Sequence, residues 1–166
     1  MAAKNRGRHA VTVALGATHV DTREIAAQRR DLGPADIETI LRDPARQVRE
    51  RLAETTADPE VLARLARDGH PGVRASAVLN DHLSSADTEM LAEDRIARVR
   101  AAAASSRRLR PDTLTKLAAD RSADVRWNVL IGNPERRDLA ALIAEDDDET
   151  NAQHARWQLE DPRLGG

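Results

Sequence analysis

A chain of 166 residues with 26 Lys and Arg against 28 Asp and Glu carries a net charge of −2, so broad attraction to nucleic acid or to an anionic bilayer is not expected. Zero Cys excludes disulfides, thiolate metal centres and Cys-ligated clusters, and fits a reducing cytoplasm. Two Trp, no Phe and no Tyr leave Ala, Leu, Val and Ile to build the core, which suits thin layers of short helices because Ala favours helix and lets helices approach closely.

No apolar run approaches the ~20 residues needed to cross a bilayer. Met1 to Arg8 is basic but leads into no long apolar stretch, so no signal peptide is expected. Residues 1–10, with Lys4, Arg6 and Arg8 among small and polar residues, read as a flexible basic arm. Residues 11–166 read as a single all-α domain. Ala10 to Leu15 alternates loosely as a strand would, but nothing later offers a pairing partner, so it reads as a degenerate half-repeat capping the N-terminal end.

A unit of 25–26 residues then recurs. Asp43/Arg49, Asp68/Arg74, Asp94/Arg100 and Asp120/Arg126 each place an Asp six residues before an Arg, and Arg23 extends the Arg series backwards. Aligned on the Val-Arg step, the repeats run 22–47, 48–72, 73–98, 99–124 and 125–150, with a half-unit at 151–166. Pro34, Pro59 and Pro111 fall at or beside helix starts, where the missing N–H costs nothing. Asp58, Ser84 and Ser122 are candidate N-caps. Leu114 with Leu117, Val61 with Leu62 and Leu65, and Leu139 with Leu142 and Ile143 give the spacing of a buried helical face. Each unit is thus two short helices that cannot bury their apolar stripes alone. The expected fold is a right-handed α-solenoid of about five helical pairs with half-repeat caps.

The stretch Asp58-Pro-Glu-Val-Leu-Ala-Arg-Leu-Ala-Arg-Asp68-Gly-His-Pro-Gly-Val73-Arg74 resembles the variant leucine-rich repeat, and it is similar to HEAT-like repeats, which share the Asp-then-Val-Arg step. The resemblance covers residues 20–160. It implies a right-handed superhelix of short α-helices that alternate with 3₁₀ turns, in a family whose members mostly bind other macromolecules. The iron–sulfur cluster of one such protein does not carry over to a chain without Cys.

The Arg column, Arg23, Arg49, Arg74, Arg100 and Arg126, has two readings. It is a basic ladder for phosphates, or a structural ladder in which each Arg pairs with the Asp six residues earlier or with that Asp's counterpart in the next unit. The Asp residues in step with it favour the structural ladder. His9, His19, His70, His82 and His154 show no metal-ligand spacing and read as loop or surface residues. No catalytic constellation and no cofactor site is expected. The acidic run Glu145 to Glu149 lacks the Gly and alternating ligands of a calcium loop and reads as a solvated turn. Residues 137–166 hold three Arg against eight acids, a local charge of −5.

These features point to a non-catalytic scaffold for a protein or peptide partner. Counting from each Val as zero, positions 0 and 4 face the core, and positions 2 and 6 lie one turn apart on another face. HEAT-like repeats turn that second face into the concave groove. Its residues here are Ala75/Leu79, Ala101/Ser105, Trp127/Ile131 and Trp157, with Asn128 at the rim. Trp127 is expected to be the accessible anchor and Trp157 mostly a C-terminal cap, although both Trp could instead seal the last repeat. Two other functions compete. A HEAT-like DNA glycosylase would use Trp127, Trp157 and Asp124, against the evidence of charge and length. A self-assembling structural component would associate through its open ends.

Overall fold

The computed structural model describes residues 10–161 and Arg163, and every regular element among them is helical. The basic arm expected at residues 1–10 lies outside the described residues except for Ala10. Ala10 to Leu15 is helix, not strand, and forms α1 (residues 10–15). The chain divides between Leu83 and Ser84 into two compact units.

The first unit continues with α2 (Val20–Ala27), α3 (Pro34–Leu41), α4 (Arg46–Thr55), α5 (Pro59–Leu65) and α6 (Pro71–Leu79). Proline opens α3, α5 and α6, where its fixed φ suits the first turn and its missing N–H has no partner to lose. Asp58 caps α5 by accepting the N–H of Glu60 and of Val61, at 2.9 and 3.4 Å. His70 caps α6 in the same way, its Nδ1 accepting the N–H of Gly72 at 3.1 Å. This cap was invisible to the expectation that His70 is a plain loop residue. Here α2 packs on α4 and α4 on α6, while α3 and α5 lie against α4. Ile40, Val48, Leu52, Leu62, Leu65 and Val73 are fully buried between them. Each such side chain contributes roughly 1.5–3 kcal/mol by leaving water.

The second unit holds α7 (Ser85–Leu91), α8 (Ala97–Ala104), α9 (Pro111–Ala118), α10 (Ala123–Gly132), α11 (Arg137–Ile143) and α12 (Glu149–Glu160). Helices α8, α10 and α12 pack in sequence, and α9 packs on α11. Val99 and Ala103 on α8, and Val125 and Val129 on α10, are buried at the four-residue spacing of one helical face. The fit between α8 and α10 is close: a Cβ added at Gly132 would meet Ser105 Cα at 2.5 Å. Ser84 caps α7, its hydroxyl accepting the N–H of Asp87 at 3.1 Å. Ser122 occupies the cap position of α10, but its side chain caps nothing. Its own N–H instead donates to Asp120 Oδ1 at 2.9 Å.

Candidate functional site

The Arg and Asp residues interlock, and each side chain does more than pair. In the first unit Arg23 meets Asp43, and Arg49 meets Asp68. In the second, Arg100 meets Asp120, and Arg126 meets Asp146. Each of these Arg donates Nε and Nη2 to the two carboxylate oxygens of an Asp that lies 19 or 20 residues later. The third nitrogen, Nη1, donates backwards to the backbone carbonyl of the Asp six residues earlier: Arg49 to Asp43, Arg74 to Asp68, Arg100 to Asp94 and Arg126 to Asp120. Both pairings expected from sequence therefore coexist on one guanidinium, one through a carboxylate and one through a carbonyl.

The Asp is equally occupied. One oxygen of Asp43, Asp68, Asp94, Asp120 and Asp146 accepts the backbone N–H two residues on, from Ala45, His70, Ile96, Ser122 and Asp148. This local turn turns the chain into the next helix. Burial pushes the Asp68 and Asp120 carboxyls up, but the Arg partner and the turn N–H together outweigh it and hold both below the ordinary aspartate value. Asp146, held chiefly by the Arg126 guanidinium, lies well below the usual carboxylate range. Guanidinium groups committed in this way are not presented as a ladder for phosphates.

Asp146 belongs to the acidic run that read as a solvated turn, and the structure corrects that reading. The Asp146 side chain is buried against Arg126 and Asp148 caps α12 by accepting the N–H of Asn151 at 3.1 Å, whereas Glu145, Asp147 and Glu149 are exposed as expected, Asp147 also meeting Arg126 Nη2 at 2.6 Å.

The second-helix face is only partly open. Ala75 and Ala101, expected to be small steps in an open groove, are buried. Ser105 is part-buried, opposite Gly132, and its hydroxyl donates to the Ala102 carbonyl at 2.9 Å. Asn128 is part-buried too, and its Nδ2 donates to the Asp124 carbonyl at 2.8 Å. At position 6, Ser105 apart, the large apolar residues are exposed. Leu79 on α6 is exposed in the first unit, and Ile131 on α10 and Trp157 on α12 are 46% and 49% exposed in the second. The two Trp are placed in the opposite order to that expected: Trp157 is the open indole and Trp127 the part-buried one. Trp127 stands on α10, which packs on both α8 and α12, whereas Trp157 stands on α12.

Between the two indoles stands His154, part-buried on α12 and not the loop or surface residue expected. Its ring centroid is 4.8 Å from that of Trp127 and 5.4 Å from that of Trp157, with tilts of 51° and 34°. Such offset, tilted pairs are the favoured geometry for aromatic rings. Buried Gln158 supports the stack from behind. Its Nε2 lies 3.1 Å from His154 Nε2 and donates to the Leu130 carbonyl, also at 3.1 Å. The spacing was readable: His154 follows Trp127 by 27 residues, about one repeat, and precedes Trp157 by three.

Gln158 also belongs to a second recurring device that sequence reasoning missed. Asn80 Nδ2 donates to the carbonyls of Ala53 and Thr56, and Asn133 Nδ2 to those of Ala104 and Val129. An amide near the end of a helix thus covers a carbonyl at the end of the helix stacked before it, which has no partner within its own helix, and Asn133 also closes on Val129 of its own helix. Among the described residues no group of three His, Asp or Glu converges to hold a metal, and no helix is long and apolar enough to cross a membrane. In comparison with known proteins, no family model and no curated protein matches the chain.

Proposed function

We propose that the chain is a non-catalytic scaffold that binds a protein or peptide in the cytoplasm, built as a right-handed α-solenoid of the variant leucine-rich or HEAT-like kind. The recurrence of one Arg–Asp device in both units, at the spacing of the sequence repeat, supports the solenoid. The binding reading rests on one observation: Ile131 and Trp157 are open to solvent on adjacent helices, backed by Trp127 and His154. Exposed apolar surface of this kind marks contact sites, and Trp is prominent among binding hot spots. The matching partner offers an apolar side chain or helix face to the indole and to Ile131. Exposed Asp124 on α10 and Glu160 on α12, each three residues from a Trp, favour a partner that carries cations beside that apolar face.

The test is covalent capture in the source cell. A photoreactive residue replaces Ile131 in one variant and the still more exposed Ile25 of α2 in another. The reading requires a partner captured from position 131, absent from position 25, and lost when Trp157→Ala is added. The same proteins captured from both positions would defeat it.

A further inference from the structure

A recess opens in the first unit, with a volume of about 400 Å³, within the size range of small-molecule pockets. Its floor is apolar: Leu32 from the turn after α2, Ile37 of α3 and Leu52 of α4. Its mouth is polar, and most of the charge there is already matched. Arg29 holds Asp31 through two bonds of 2.9 Å. Asp58 is engaged by the N-terminal N–H groups of α5, where a negative charge is favourable. The Thr55 hydroxyl donates to the Arg51 carbonyl at 2.8 Å. The C-terminal end of α4 would oppose an anion, but Asn80 covers its Ala53 and Thr56 carbonyls.

Three donors remain. Arg30 is exposed and, among the described residues, has no carboxylate partner. The His82 ring is exposed and unpartnered, its backbone alone being tied down through Asn80. Thr56 Oγ1 accepts the Asp58 N–H at 3.2 Å and keeps its own hydrogen to donate. One unmatched guanidinium beside two neutral donors suits a single negative charge. A dianion would leave charge uncompensated next to Asp58.

We infer that this recess binds a monoanionic carboxylate on an aliphatic stem. The carboxylate takes the Arg30 guanidinium with His82 and Thr56 as further donors, and the stem lies over Leu32, Ile37 and Leu52. Two sources share this chemistry: a free aliphatic acid, and the C-terminus of a peptide that ends in an aliphatic residue.

The experiment is calorimetric titration of the full chain with three probes: octanoate, the free-acid peptide acetyl-Ala-Leu-Leu, and the same peptide as its C-terminal amide. At least one carboxylate is expected to bind, and the amide at least about tenfold more weakly, the loss that one charge-assisted hydrogen bond produces. Octanoate alone identifies a free acid, and the peptide acid alone identifies a chain terminus. Arg30→Ala, at an exposed position, should weaken the bound carboxylate by about tenfold or more, and Leu32→Trp should obstruct the floor and abolish binding. Thermal melts establish that both variants fold, and either alone suffices if the other does not. The inference is overturned if neither carboxylate binds up to about 1 mM, if the amide binds as well as the acid, or if a folded variant leaves binding unchanged. The two Trp lie in the other unit, so failure here leaves the indole surface of α10 and α12 untouched.

Discussion

Arg100 lies edge-on to Asp120, its Nε and Nη2 donating to Oδ2 and Oδ1 at 2.7 and 2.8 Å while Nη1 reaches the Asp94 carbonyl at 2.8 Å. The two side chains retain only 8% and 10% of their exposure. Removing one partner of a buried pair strands the other, at a cost of about 3–5 kcal/mol. Arg100→Ala is therefore expected to lose about that much in chemical denaturation. Arg100→Lys should recover little, since an ammonium cannot supply two parallel bonds and a third to a carbonyl. The half-exposed pair Arg29 and Asp31 is the control, and Arg29→Ala should cost under about 1 kcal/mol. Equal losses for Arg100→Ala and Arg29→Ala would show that the interlocked pair has no special weight.

The same pairs set a direction for pH. Asp68, Asp120 and Asp146 are held below the ordinary aspartate value in the folded chain. The stability they contribute is fully present above the unfolded value of about 3.9 and is lost as pH falls through the lower folded values. Melting temperature should be flat with respect to these groups from neutral pH down to about 5 and then fall steeply toward pH 2. Asp120→Asn starts from a lower plateau and should show a shallower acid limb. An acid limb as steep in Asp120→Asn as in the parent would place the proton uptake elsewhere.

Close approach of α8 and α10 gives the third expectation. A methyl at Gly132 would sit 2.5 Å from Ser105 Cα and 3.1 Å from its Cβ. These atoms belong to backbone and its first carbon, so they cannot rotate aside. Gly132→Ala should destabilise by about 1–3 kcal/mol, against the gain of up to about 1 kcal/mol that Ala brings to an unobstructed helix position. Gly69→Ala, where nothing lies within 4 Å, should be tolerated. A stable Gly132→Ala with an unchanged melt would mean that the two helices slide apart freely.

The helices and the Arg–Asp device were legible because they are local or periodic. Proline at the first turn, Asp58 and Ser84 as caps, and an Asp six residues before Arg49, Arg74, Arg100 and Arg126 all show as spacings. Asp146 went unnoticed because it sits inside an acidic run, where composition masks a position that continues the Asp series 26 residues after Asp120. The open face was legible only in part. Position 2 looks equivalent to position 6 on a helical wheel, but neighbouring helices cover Ala75 and Ala101 and leave Leu79 and Ile131 outside. Periodicity gives the faces of one helix, whereas packing against neighbouring elements decides which of two positions off the core face is covered. Asn80, Asn133 and Gln158 escaped notice for a different reason. Their targets are backbone carbonyls, which leave no trace in the residue pattern.

The last expectation separates the two indoles. Trp157 is half exposed on α12, whereas Trp127 is part-buried on α10, which packs on both α8 and α12. Truncating Trp157 removes a ring whose outer half never left water, so Trp157→Ala should cost about 1–2 kcal/mol at most. Trp127→Ala removes a part-buried ring together with its His154 stack, and should cost more, about 3 kcal/mol. Because the chain has two Trp and no Tyr or Phe, its intrinsic emission reads this surface alone. In the single-Trp variants Trp127→Phe and Trp157→Phe, acrylamide should quench the remaining Trp157 more efficiently than the remaining Trp127. A bound partner should then protect Trp157 and move its emission to shorter wavelength, while leaving Trp127 nearly unchanged. If Trp127 proves the more quenchable ring, or if a saturating partner shields neither, the face formed by Ile131 and Trp157 is not where the partner sits.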